Sequence, residues 1–265
     1  MMITSKQNPK IKETAKLKIK KYRDSSKKFL VEGYYSIKFA LQNNYPLEEL
    51  FFCKGFFREK FNNQEVINIC QRKGVTVTEL PGQVFEKLSS LESPEGLIAV
   101  APQRMKNLSS FSPIENGIYV IIESIEKLGN LGAIFRLADN AGVTGVIVCD
   151  MRADIYNPET IRSSVGTFFS INILQASSQE AIDWCKRNKI KTLATSPQAT
   201  CLYTDLDLTG SIAIVMGTEY AGLTDLWLKN ADEKILIPMF GQANSLSVTA
   251  STAVVLYESV RQRHI

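Results

Sequence analysis

The stretch IPMFGQANSLSVTASTAVVLYE, Ile237 to Glu258, decides how the rest of this chain of 265 residues is read. The apolar run Lys234 to Pro238 is short enough for a buried strand, Pro238 ends it, and Gly241 to Ser247 supply small residues that let a ligand approach the backbone. A helix then starts near Ser247, with Val248, Val255, Leu256 and Val260 at near-helical spacing. Its first N–H groups have no partner inside the helix and are free for a ligand. A buried strand, a polar loop and a helix start are the ingredients of a small-molecule pocket, and equally of an ordinary strand-to-helix connection.

Two further stretches share this character: NLGAIFRLADNAG from Asn130 to Gly142, and IVMGTEYAGL from Ile214 to Leu223. In this order the three resemble the signature motifs of the SpoU-type (TrmH-like) RNA ribose 2′-O-methyltransferases. The matching residues are Asn130, Gly132, Arg136, Ala138 and Gly142, then Gly217, Glu219 and Gly222, then Ile237, Pro238, Met239, Gly241, Ser245 and Leu246. The opening SKQNPKIKETAKLK (Ser5 to Lys18) and FLVEGYYSIKFAL (Phe29 to Leu41) resemble the substrate-binding domain that precedes the catalytic domain in many of these enzymes.

Working outward, short apolar runs alternate with helix-like stretches along the whole chain. Phe29 to Val31, Leu50 to Cys53, Val75 to Val77 and Leu97 to Val100 read as strands of a small α/β domain over 1–104. Periodicity fails in APQRMKNLSSFSPIENG, so 105–117 reads as a linker. Beyond it, over 118–265, Ile/Val-rich strands at 118–122, 146–149, 171–174, 191–194, 212–216 and 235–238 predict a parallel α/β sheet covered on both faces. The family resemblance adds a deep trefoil knot formed by the C-terminal segment, and a homodimer.

Composition bounds the chemistry. No apolar run approaches the roughly 20 residues that span a bilayer, which predicts a soluble, cytoplasmic protein. The five cysteines stand 17, 79, 36 and 16 residues apart, without a CxxC pair or metal-ligand spacing. The sole histidine, His264, lies next to the C-terminus and excludes His-based triads. There is no GxGxxG fingerprint and no phosphate loop. What remains is a site of amides, hydroxyls, Arg or carboxylates, or a cofactor that carries the reactive group itself.

S-adenosylmethionine suits such a site, since its sulfonium makes the methyl carbon electrophilic beforehand. The resemblance places it against Thr195, Gly217, Ile237, Met239, Ser245 and Leu246, and maps the catalytic set onto Asn130, Arg136, Glu219, Ser245 and Ser247. A guanidinium is a poor base at neutral pH, so Arg136 is read here as stabilising the developing 2′ alkoxide and gripping a phosphate. The plainer readings are an Arg lying along an amphipathic helix or pairing with Glu219, and an Asn130 that caps the helix. The chain departs from the family at Ser247, where an Asn is usual, and at Lys127 and Leu128, where Asp and Pro are common. Asn244 is the nearest carboxamide in the same loop.

Charge is uneven. Residues 1–106 carry 19 Lys+Arg against 11 Asp+Glu, or +8, and the remainder 12 against 16, or −4. Lys10, Lys12, Lys16, Lys18, Lys20 and Lys21 read either as a solvated helix face or as phosphate contacts. The aromatic residues Tyr34, Tyr35, Phe39, Phe51, Phe52, Phe56, Phe57 and Phe61 read mainly as core, with stacking on unpaired bases as the other use. The expected substrate is large-subunit ribosomal RNA, with transfer RNA and a non-catalytic RNA-binding protein as the two other readings.

Overall fold

The computed structural model describes residues 2–264. Its contacts divide into two units, residues 2–104 with 154–170, and 105–153 with 171–264.

The first unit runs α1 (Pro9–Lys16), α2 (Lys20–Ser26), β1 (Lys28–Glu32), α3 (Tyr34–Gln42), β2 (Glu49–Phe52), α4 (Asn63–Arg72), β3 (Thr76–Glu79), α5 (Gly82–Leu88) and β4 (Leu97–Pro102). Asn8 starts α1 by accepting from the Lys10 N–H, with Pro9 at the first helical position. The strand-helix rhythm was a correct guide to these elements, but the sheet is mixed. Its order is β1-β4-β2-β3, with β4 antiparallel to both neighbours and only β2 and β3 parallel. The last strand inserts between the first two, and apolar Ile98, Ala99 and Val100 fill that central place.

The second unit contains β5 (Lys106–Asn107), β6 (Ile118–Glu123), α6 (Leu128–Asn140) and β7 (Gly145–Cys149). The chain next contributes α7 (Pro158–Ser163) to the first unit. There Arg23, 1% exposed, donates to Asp154 through Nε at 3.1 Å and Nη2 at 2.6 Å, and to the Leu17 carbonyl at 2.8 Å. A buried guanidinium needs all of these acceptors, because an unpaired one would be costly to desolvate. The second unit resumes with β8 (Ile173–Ala176), α8 (Ser178–Arg187), β9 (Lys191–Thr195), β10 (Cys201–Leu202), β11 (Ile212–Met216), α9 (Asp225–Asn230), β12 (Glu233–Leu236) and α10 (Val248–His264).

Its eight strands follow the order β10-β12-β9-β11-β6-β7-β8-β5, and every pairing is parallel. The continuous Ile/Val runs of β6, β7 and β11 are buried along their whole length, as strands covered on both faces require. Two short strands, β5 and β10, escaped the sequence reading because two residues carry no period. β5 lies in the stretch read as linker, and Leu108 just after it is buried in the core with Trp184 and Trp227. Among the described residues no helix is long and apolar enough to cross a membrane.

Candidate active site

Because all strands of the second sheet run the same way, their carboxyl ends share one edge. Four adjacent strands, β12, β9, β11 and β6, bring Ile237, Thr195, Gly217 and the start of α6 to that edge. The crevice outside the carboxyl ends of such strands is where open α/β sheets bind ligands.

The loop after β11 is the tightest part of the site. Thr218 and Gly222 exchange backbone hydrogen bonds at 3.0 and 3.2 Å, and Gly222 takes a φ of +69°, which favours glycine. A Cβ on Gly217 would lie 2.1 Å from the Gly222 carbonyl carbon. Close approach at Gly217 is therefore first an approach of the chain to itself, and the loop's turn projects Glu219 and a fully exposed Tyr220.

Behind the loop, Glu123 at the end of β6 is 2% exposed. It accepts from the Thr224 N–H at 2.8 Å, the Thr224 hydroxyl at 2.7 Å and the Ser178 hydroxyl at 3.1 Å. Ser178 in turn accepts from the Trp227 indole at 3.0 Å. A buried carboxylate satisfied in this way anchors the exit of the Glu219 loop to β6. Glu123 was missed in the sequence, because a lone Glu ending an apolar strand has no local signature.

Glu219 reaches across to α6. Its Oε1 accepts from the Asn130 side-chain amide at 2.9 Å and from the Lys127 N–H at 3.3 Å. Partial burial pushes the Glu219 carboxyl up, but the Asn130 amide and the N–H groups of Glu219, Lys127 and Glu126 together hold it below the usual carboxylate range. It is thus ionised at neutral pH, and it supplies the start of α6 with the acceptor that Lys127, at the N-cap position, cannot. Asn130 lies inside the first turn of α6 and does not cap it. Its oxygen accepts instead from the Thr249 hydroxyl at 3.4 Å, so side chains from all three motif stretches meet at one amide. In the sequence Thr249 has no assigned partner, since a Thr in a first helical turn carries no local sign of what it will bond.

Arg136 stands on α6 with its side chain exposed. It makes no ion pair among the described residues, and the expected alternative of an Arg136–Glu219 pair is not formed: Asn130 and Lys127 take that carboxylate. Ser245, Leu246 and Ser247 are exposed, and Ile237 and Met239 are half-buried. None of the backbone hydrogen bonds outside the regular elements engages Ile237, Met239 or Leu246 among the described residues. Those groups are open to a ligand's hydrogen-bonding edge. Thr195 at the end of β9 is half-buried and donates to the Val215 carbonyl at 3.1 Å.

Ser247 has a structural task of its own. Its hydroxyl accepts from the Ala250 N–H at 3.2 Å while its carbonyl accepts from the Ser251 N–H at 2.9 Å, the two bonds of a helix N-cap. Asn244 is exposed without a hydrogen bond among the described residues, so the carboxamide engaged here is Asn130. Ser247→Ala is expected to lower unfolding free energy by about 0.5–2 kcal/mol. Ser247→Asn, an equally good cap, should stay near wild type. Urea unfolding measures both, and an Ala variant as stable as wild type would remove the capping role.

The six lysines do not form one free cluster. Lys10 pairs with Glu49 at 2.9 Å, Lys16 with Glu13 at 2.6 Å and Lys20 with Asp24 at 2.6 Å. Lys18 turns inward to the Ser89 carbonyl, where burial pushes its ammonium below the usual lysine range. Lys12 and Lys21 are exposed and make no ion pair among the described residues.

Comparison with known proteins finds similarity along nearly the whole chain. Residues 117–257 match the SpoU rRNA methylase family, and residues 8–99 match the MRM3-like substrate binding domain. The chain is 28% identical over 256 residues to the 23S rRNA (guanosine(2553)-2′-O)-methyltransferase of Bacillus subtilis, covering 96% of this chain and 97% of that one. A crystal structure of an RNA 2′-O ribose methyltransferase superposes with a TM-score of 0.88 at 39% identity, over 100% of both chains. The AdoMet-bound rRNA methyltransferase of Sinorhizobium meliloti superposes with a TM-score of 0.89 at 28% identity, over 98% of this chain and 97% of that one.

Proposed function

The chain belongs to the SpoU rRNA methylase family, and from that premise we propose that it transfers the methyl group of S-adenosylmethionine to a ribose 2′-hydroxyl of large-subunit ribosomal RNA. The observation that carries this reading is the meeting of Thr249, Asn130 and Glu219 at the start of α6, the helix that also carries Arg136, which assembles three separated motifs around one edge of the sheet. The bound cofactor supplies an electrophilic methyl carbon.

The chain's own residues do the rest. The unengaged backbone groups of Ile237, Met239 and Leu246 suit an adenine edge, and Thr195, Gly217 and Ser245 line the same crevice. Arg136, without a carboxylate partner among the described residues, would be available to a phosphate and to the 2′ oxygen, whose negative charge grows as its proton leaves and is spent on the incoming methyl group. The hydroxyl proton leaves to that phosphate or to water, because a guanidinium stays protonated. Glu219 and Asn130 fix the start of α6 and hence the base from which Arg136 projects. Lys12 and Lys21, with Lys10, Lys16, Lys18 and Lys20 at lower weight given their partners, contact RNA phosphates.

The finer architecture belongs to the same proposal. A C-terminal segment threaded as a trefoil knot is supported by the ties of α10 to the 206–210 loop, where Ser259 donates to the Leu208 carbonyl at 3.1 Å and Gln262 to the Leu206 carbonyl at 3.0 Å. A homodimer is supported by the exposed Tyr220, Phe240, Leu246 and Tyr257. Work on ribosomal RNA implies a cytoplasmic location. RNA contact is assigned to the unit built on 1–104 and chemistry to the unit built on 118–265, with 154–170 packed in the first and 105–117 in the second.

Calorimetric titration with S-adenosylmethionine tests the cofactor assignment. One site per chain and a rise in melting temperature are expected; no heat and no thermal shift at millimolar ligand would refute it.

A further inference from the structure

Three aromatic side chains of the first unit pack in a way its core does not require. Tyr34 and Phe61 stack with ring centroids 4.6 Å apart and planes inclined by 5°. Tyr35 stands nearly perpendicular to both, at 5.5 Å and 77° from Tyr34 and at 5.4 Å and 81° from Phe61. Tyr34 is buried, whereas Tyr35 is 46% exposed although a Tyr ring carries a large apolar surface. Two ammonium groups lie on this cluster: Lys38 Nζ 5.6 Å from the Tyr34 centroid and Lys60 Nζ 4.9 Å from that of Phe61. Neither lysine forms an ion pair among the described residues. Arg58 nearby is bonded to Glu95 at 3.3 Å, and Glu59, next to Lys60 in the chain, is exposed and makes no ion pair among the described residues.

We infer that Tyr35, backed by the Tyr34–Phe61 stack and flanked by Lys38 and Lys60, is a platform on which an unpaired base of the RNA substrate stacks while the two ammonium groups meet the adjoining phosphates. The inference rests on the RNA reading above and specifies where the first unit holds its substrate. The rings decide for a base, because stacking on an aromatic face is open to every nucleobase and is the usual way unpaired RNA is held. The cations decide for a polyanion over an apolar peptide: two lysines kept on ring faces without carboxylate partners retain their charge for phosphate. The perpendicular packing holds the Tyr35 ring in place, so little side-chain freedom is lost on binding.

The test uses the full chain and two probes, a fluorescein-labelled single-stranded RNA 12-mer and the same sequence annealed to its complement. Tyr35→Ala should weaken binding of the single strand by roughly 5- to 100-fold, with far less effect on the duplex, whose bases are already stacked. Tyr35→Phe should stay within about two-fold of wild type, since the ring is what matters. The double change Lys38→Gln and Lys60→Gln should flatten the salt dependence of single-strand binding. S-adenosylmethionine affinity, measured on each variant, should be unchanged, which reports an intact fold. An Ala variant that binds the single strand as wild type does, or a loss that Phe fails to restore, would overturn the platform while leaving methyl transfer in place. A wild-type protein that binds neither probe and methylates no RNA would overturn the platform and the RNA reading together.

Discussion

Arg136→Ala is expected to lower methyl transfer by about 100- to 1000-fold or more, the loss typical of removing a donor that acts on charge developing in the transition state. S-adenosylmethionine affinity should stay within a few-fold, because Arg136 projects from α6 whereas the open backbone groups of Ile237, Met239 and Leu246 lie on the segment after β12. Arg136→Lys should recover little. A single ammonium cannot reproduce the planar fork that addresses a phosphate and the 2′ oxygen together. Single-turnover assays at saturating cofactor separate the two effects. Near-normal turnover in the Lys variant would remove the two-contact role.

Asn130→Ala should cost about 100-fold in turnover, the scale of a misplaced catalytic geometry. The change leaves Glu219 with backbone partners only and Thr249 without its acceptor, so the three motifs lose their shared contact. Asn130→Asp is the more telling variant. It sets a second carboxylate against Glu219, and two like charges in one site raise the pKa of at least one of them. As pH falls, one carboxyl takes up a proton and becomes a donor, as the amide was. The Asp variant should therefore gain activity relative to wild type on acidification, whereas the Ala variant should not. Parallel pH–rate profiles for Ala and Asp would reject the amide's bridging role.

Much of this was legible beforehand. The long Ile/Val strands of the second sheet announced themselves because burial on both faces leaves no room for polar alternation, and β6, β7 and β11 fall within a residue or so of their expected limits. The sheet order and the antiparallel place of β4 were not legible, since pairing is a long-range property that no local period encodes. At the site, Asn130, Arg136 and Glu219 were picked out by motif, but the bonds that join Asn130 to Glu219 and Thr249 were not. Glu123 and Thr249 owe their roles to residues 101 and 119 positions away in the chain. Ser247 illustrates the converse: a departure that suggests lost chemistry is in the fold a good helix cap. Polar positions inside α10 carry no local sign of burial either: Thr252 and Ser259 are fully buried with hydroxyls bonded to the Val248 and Leu208 carbonyls. Val260, which shares the near-helical spacing of Val248, Val255 and Leu256, is only half-buried.

The central claim is methyl transfer to ribose, and one measurement addresses it directly. The purified protein is incubated with methyl-labelled S-adenosylmethionine and protein-free large-subunit ribosomal RNA, with transfer RNA in parallel, and the RNA is digested to nucleosides. The account predicts label in a single 2′-O-methylnucleoside from the ribosomal RNA, none from transfer RNA, and none when Arg136→Ala replaces the wild type. Cofactor and ribosomal RNA both bound, with no labelled 2′-O-methylnucleoside formed, would contradict it.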